Sequence, residues 1–208
     1  RYASRTSASL GEGYSFIALR FGTCKIDLNL DIIIKVRKMK FLNLSDYKVN
    51  IWGGGVTREI MILPANSLLD NRDFDIRISS AVIESPESTF SNFDGYKRII
   101  LPLEGSITLI TPTGKVRLTS TEPFTFDGSD KITSLNSVGA IDFNVIFKPE
   151  VNVSVKIINN YHHIKSKKSC IAFAFEDIKI NGEHIAKYSS AFLTEDAEVV
   201  GKAIIIVY

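Results

Sequence analysis

An all-β fold is the class this sequence predicts, and three observations carry it. Short β-branched or aromatic runs are separated by clusters of Gly, Pro, Asn, Asp and Ser. Those turn signals recur at intervals of about eight to twelve residues. No helical period persists over about a dozen residues. A chain of this kind folds as a sandwich, barrel or jelly roll.

Taken in order, residues 1–38 differ from the rest of the chain. They hold Arg1, Arg5, Arg20, Lys25, Lys35, Arg37 and Lys38 against only Glu12, Asp27 and Asp31. RYASRTSASLGEGYSFIALRFGT lacks the uninterrupted apolar stretch and small-residue cleavage site of a secretory signal. IDLNLDIIIKVRK has the composition of a strand without turn signals tying it to the next segment. Met39 opens MKFLNLSDYKVNIW in the manner of a protein start. Residues 1–38 are therefore expected to be a non-native or disordered leader, with a true N-terminal strand and tail as the alternative.

Beyond Met39 the strands come in quick succession. FDIRISSAVIE alternates, which puts Ile76 and Ile78 on one face and Arg77 and Ser79 on the other. RIILPL (98–103) and SITLI (106–110) are broken by Glu104-Gly105. Thr113-Gly114 marks a hairpin into KVRLTS. EPFTFDG, AIDFNVIFK, VNVSVKII and CIAFAFE continue the pattern, and Asn181-Gly182 is the strongest hairpin signal. NNYHHIKSKKS reads as an exposed polar loop. AIIIVY ends the chain with an apolar run suited to a central strand. Polar residues and proline at Lys148-Pro149-Glu150 divide a main module, 39–148, from a second part, 149–208.

Composition excludes several functions. Hydrophobic residues make up 45% and charged residues 23%, ordinary for a soluble globular protein. No window reaches the roughly 18 apolar residues of a membrane-spanning helix, so no membrane partner is expected. Subtracting the leader's charges from the totals of 25 basic and 23 acidic leaves 18 and 20, so the body is not basic. A nucleic-acid partner is thus not suggested. Two cysteines, Cys24 and Cys170, show no paired spacing, and a reducing cytoplasm is the simplest setting. The three histidines, His162, His163 and His184, have no ligand spacing, so no metal or cofactor is expected. No G-x-S-x-G is present, and Cys170 opens the apolar run CIAFAF as an inert buried thiol.

Two features remain for a site. Gly53-Gly54-Gly55 after Trp52 suits either a ligand-binding turn or a tight bend at a sheet edge. Arg77 and Arg98 lie within or at the mouth of apolar strands. Each is either paired with Glu59, Glu84 or Glu104, or placed to capture a carboxylate by two parallel hydrogen bonds.

At these residues the chain resembles the HutD/Ves family. WGGGVTREI, FDIRISSA, FSNFDGYKRIILPLEG and DFNVIF match the family's blocks, in order, over residues 52–147. The resemblance implies a bicupin fold, a jelly-roll barrel with a smaller C-terminal half, lacking the usual cupin metal ligands. By position it implies ligand-binding roles for Arg98, Arg77, Trp52, Thr57, Glu59, Ser79, Phe90 and Asn144, with Arg58 and Ser91 also matching. It further implies a non-enzymatic, regulatory protein that binds small carboxylates such as formylglutamate or urocanate in histidine utilisation. The Ves branch is linked to stress or cold response. Two departures bear on ligand choice: Trp52 abuts Gly53 without the family's Asn, and Lys97 stands where an acid is common. The alternatives are a metal-independent isomerase, lyase or hydrolase with Glu59 or Asp142 as general base, and a structural module whose arginines only form ion pairs. A small anionic ligand is the expected partner, and a homodimer is compatible with the reading.

Overall fold

The computed structural model describes residues 39–165 and 169–208. The expectation about residues 1–38, and Cys24 with it, lies outside the described residues. The strands of the first half are β1 (Lys40–Leu42), β2 (Lys48–Trp52), β3 (Gly55–Leu63), β4 (Ile76–Ile83), β5 (Glu87–Thr89), β6 (Lys97–Glu104), β7 (Ile107–Thr111), β8 (Gly114–Arg117), β9 (Phe124–Asp127), β10 (Thr133–Asn136) and β11 (Ala140–Phe147). The second half holds β12 (Ser154–Ile158), β13 (Tyr161–Ile164), β14 (Cys170–Ala174), β15 (Ile178–Ile180), β16 (Glu183–Ile185), β17 (Ser190–Leu193), β18 (Ala197–Val200) and β19 (Ala203–Val207). Only a three-residue 3-10 turn at Leu44–Asp46 interrupts the all-β pattern among the described residues.

Four sheets stack in layers. The first is four-stranded, in the order β5-β10-β7-β8, and it covers a six-stranded sheet, β2-β3-β4-β11-β6-β9. Beyond that lie a five-stranded sheet, β1-β17-β14-β19-β12, and a second four-stranded sheet, β13-β18-β15-β16. Each strand order has free ends, so a closed barrel is not formed among the described residues. β19 is flanked by β14 and β12, the central place its apolar run predicts. β1 joins the five-stranded sheet by pairing with β17, about 150 residues on in the chain (Lys40 opposite Phe192).

Strand alternation makes the six-stranded sheet two-sided. Ile76, Ile78, Ile99, Leu101, Phe143 and Val145 turn one way and pack on Ile171, Phe173, Ile204 and Ile206. Ile83, Ile100 and Ala140 turn the other way, against Ile107 and Leu109. Arg77, Ser79, Arg98, Asp142 and Asn144 share that second side, as FDIRISS and DFNVIF alternation requires.

Two β-bulges interrupt the sheet beside acidic side chains. On β3 the extra residue is Ile60, between Glu59 and Met61, and on β6 it is Leu103, where the register with β11 shifts between Ile141 and Asp142. Asp142 thereby comes opposite Pro102, whose missing N–H is tolerated in an inner strand where the ladder is already broken. Bulges of this sort re-aim side chains next to sites.

One expectation needs correction. Residues read as a polar loop include β13, which pairs with β18 from Tyr161 opposite Val200 to Ile164 opposite Ala197. Its histidines and tyrosine are exposed, so composition alone resembled a loop. The Asn181-Gly182 turn connects β15 to β16 with φ of 50° and 81°, the left-handed pair that this dipeptide favours.

Candidate functional site

Between the six-stranded sheet and its four-stranded cover lies a cavity of about 310 Å³. Arg77, Ser79, Arg98, Asp142 and Asn144 form its floor, while Ser88, Phe90 and Ser134 come from the opposite wall. Trp52 and Thr57 stand at the edge of the sheet and complete it. Seven of the eight residues named from sequence thus line one cavity. Glu59, the eighth, reaches it through Arg77.

Trp52 explains the glycine triplet. Its indole Nε1 donates to the Thr57 hydroxyl at 3.2 Å, folding the ring back over the turn. A Cβ at Gly54 would run into that ring, and one at Gly55 into the Val82 carbonyl oxygen. The triplet therefore serves as a close-packed hairpin bend that seats the tryptophan at the cavity mouth. Arg58, one residue beyond Thr57, turns away with the alternation and lines a separate open groove near Ala186 and Ser189.

The two arginines differ sharply. Arg77 Nε donates to Glu59 Oε2 at 2.7 Å, and its Nη1 donates to the Ser79 hydroxyl at 3.1 Å. Its charge is matched by a carboxylate that is itself only 13% exposed. Arg98 is equally buried, at 6% exposure, yet forms no salt bridge among the described residues. Its Nε is buried without a hydrogen-bond partner. Phe90, Phe126 and Phe93 surround the guanidinium, with ring centroids 4.6, 5.2 and 5.6 Å from its carbon. Rings stabilise a desolvated cation by about 2 kcal/mol, well short of the several kcal/mol that burying it costs. Burial accordingly pulls the Arg98 guanidinium down to about 10, opposed by the charge of Asp142 and reinforced by that of Arg77. Glu104, one of the candidate partners, is instead engaged by Lys187 and Tyr188.

Asp142 is the second unusual group. Burial pushes its carboxyl up to about 6, against the pull of Arg98, the Ala81 N–H and Arg77. The Ala81 amide donates to its Oδ1 at 3.0 Å. Asn144 Oδ1 and Ser88 Oγ are also buried without partners, on the floor and the facing wall. A cluster of unsatisfied polar atoms around one space is rare in a finished core.

Several lining residues carry no signal in the sequence. Ser134 is fully buried, but TSLN has no apolar alternation to announce an inward face. Phe93 and Phe126 lie within recognisable blocks, yet their contact with Arg98 depends on β6 pairing β9, Arg98 opposite Phe126. Cys170 lies in the far core, its thiol pushed up to about 11 by burial, outside the cavity. Among the described residues no cluster of His, Cys, Asp or Glu could hold a metal ion.

The stacked β-sheets have a cupin-like fold. The fold matches a cupin 2 conserved barrel domain protein from Leptotrichia buccalis with a TM-score of 0.53 and 12% identity, over 81% of this chain and 95% of that one. The chain belongs to the HutD family, whose model matches residues 44–202. HutD from Pseudomonas fluorescens SBW25 has the same fold, with a TM-score of 0.71 and 23% identity, over 82% of this chain and 97% of that one. An uncharacterized 21.2 kDa protein in the hutC 3′ region of Pseudomonas putida is 35% identical over 118 residues, which are 54% of this chain. That match spans 60% of the relative's length.

Proposed function

We propose that the cavity binds a small carboxylate through Arg98 and that the protein acts as a non-enzymatic, regulatory component of histidine utilisation. One observation carries this reading: a buried guanidinium on the cavity floor with no carboxylate of its own. A cation in that state is stabilised most by an anion that enters from outside. The Arg77–Glu59 pair, already neutralised, frames the floor without competing for it. A volume of about 310 Å³ suits a metabolite rather than a peptide. A bicupin arrangement, in which the second half is a partial repeat of the first, belongs to the same reading.

Thermal unfolding with formylglutamate and with urocanate tests it. A compound that binds only the folded state stabilises it by RT ln(1 + L/Kd), with L the free ligand concentration, and so raises the melting temperature. At least one of the two is expected to do so, and Arg98→Ala to abolish the rise while leaving the circular dichroism spectrum unchanged. No shift with either compound overturns the ligand assignment.

The enzymatic alternative has one supporting observation, the raised Asp142 carboxyl, since a base near neutrality suits proton transfer. Turnover of either compound that disappears in Asp142→Asn would favour it.

A further inference from the structure

Charge on the cavity floor is balanced before any ligand arrives. Glu59 cancels Arg77, and ionised Asp142 offsets Arg98 across the same space. An incoming carboxylate on Arg98 brings a third negative charge, after Glu59 and Asp142, to a floor that holds two arginines. Two carboxylates sharing one low-dielectric site favour the state in which one of them is protonated. Asp142 is the group placed to take that proton, because it is buried, on the floor, and held by a neutral donor rather than by an ion pair.

We infer that Asp142 is a specificity-determining residue that accepts one proton as a carboxylate docks on Arg98, so that each anion bound brings one proton into the cavity with it. This rests on the carboxylate reading of the same site. The groups facing Asp142 leave it alone in that role. Arg77 approaches from β4 with Glu59 behind it on β3, and Arg98 approaches from β6. From the covering wall come Ser88, Thr89, Phe90, Ser91 and Ser134, none of which titrates near neutrality. Its unliganded titration near 6 means that the proton is absent at physiological pH and must be supplied on binding.

Proton balance is direct. The ligand arrives as R–COO⁻, Asp142 arrives ionised, and one proton leaves the solvent to form the Asp142 carboxylic acid. No covalent bond within the ligand changes. Linkage then fixes the pH dependence. Above about pH 6 the affinity falls about tenfold for each pH unit, and below it the affinity levels off. Uptake approaches one proton per molecule bound in the sloping range.

Formylglutamate is a suitable probe, since its own carboxyls stay ionised from about pH 5.5 to about pH 8.5. Calorimetry in two buffers of different ionisation enthalpy, at about pH 7.5, counts the protons taken up. Uptake close to one, with the tenfold slope, is the expected result. Asp142→Asn keeps an acceptor for the Ala81 amide and mimics the protonated state. It should bind with no slope, no proton uptake, and an affinity at about pH 8 roughly a hundredfold above that of the unmutated protein. Binding without proton uptake, or an Asp142→Asn protein with an unaltered slope, overturns the inference while the carboxylate reading stands. Absence of binding at about pH 5.5, where most of Asp142 is already protonated, overturns both.

Discussion

The molecule contains two interfaces between a larger sheet and a four-stranded partner, and they are filled in opposite ways. Between the five-stranded sheet and its partner, Ala172, Ala174, Ala191 and Ala203 meet Ile178, Ile180 and Val199 in a dry core. Between the six-stranded sheet and its partner, the apolar filling of Ile100, Ile107 and Leu109 gives way to a polar cavity. Six of the buried polar residues, Arg77, Ser79, Arg98, Ser134, Asp142 and Asn144, line that one space. Small alanines let the first pair of sheets approach and exclude water. In the second, arginines and a raised carboxyl line an open space, an arrangement that costs stability.

Transplanting an arginine from one interface to the other gives the largest predicted effect. Ala172→Arg would place an unpaired charge in the dry core, costing more than about 5 kcal/mol. The chain should fail to fold, read as loss of soluble protein. A stable Ala172→Arg protein would show that the dry interface is as accommodating as the wet one.

Within the wet interface, Glu59→Leu strips Arg77 of its carboxylate and should cost about 3 kcal/mol in urea unfolding. Arg98→Met should do the reverse. It removes a buried charge that nothing neutralises by contact and raises stability by about 2 kcal/mol, while any response to formylglutamate disappears. If Arg98→Met instead lowers stability, its aromatic surroundings outweigh its desolvation, and the contrast with Arg77 is lost.

The last effect is a pH dependence. An acid whose folded pKa is raised, here from an ordinary value of about 4 to about 6, favours folding in its protonated form. That contribution is complete below about pH 4 and declines as pH climbs through about 6, by about 3 kcal/mol in all. Unfolding curves of the ligand-free protein across this range should show the decline, and Asp142→Asn should lack it. Because the dry interface holds no carboxyl, and its one buried thiol, Cys170, is pushed up to about 11, Ala174→Ser there should leave the profile across this range untouched.

How far the sequence shows this depends on whether a strand announces its own inward face. FDIRISSA does, since its alternation separates Ile76 and Ile78 from Arg77 and Ser79 without reference to any partner. DFNVIF does the same for Phe143 and Val145 against Asn144. TSLN and EST do not, because neither alternates on its own, and the inward face of Ser134 is set by Ser88 on one side and Leu109 on the other. YHHI has no apolar face of its own and becomes a strand only through Ala197 and Val199 of β18. β1 is a third kind of case, fixed by a partner about 150 residues away that local pattern cannot indicate. The same limit applies to the arginines. Their burial follows from alternation, but that Arg77 has Glu59 and Arg98 has no carboxylate depends on which strands neighbour each, and on the bulge that re-aims β3.

Trp52 has a practical consequence. It is the only tryptophan in the chain, 41% exposed at the cavity mouth, with its indole N–H held by Thr57. Its fluorescence therefore reports on a single place, the entrance to the space beneath it. A metabolite that covers the ring would shift the emission to shorter wavelength, and one that displaces Thr57 would alter its intensity. The protein carries a built-in optical gauge of occupancy, requiring no label and no substitution.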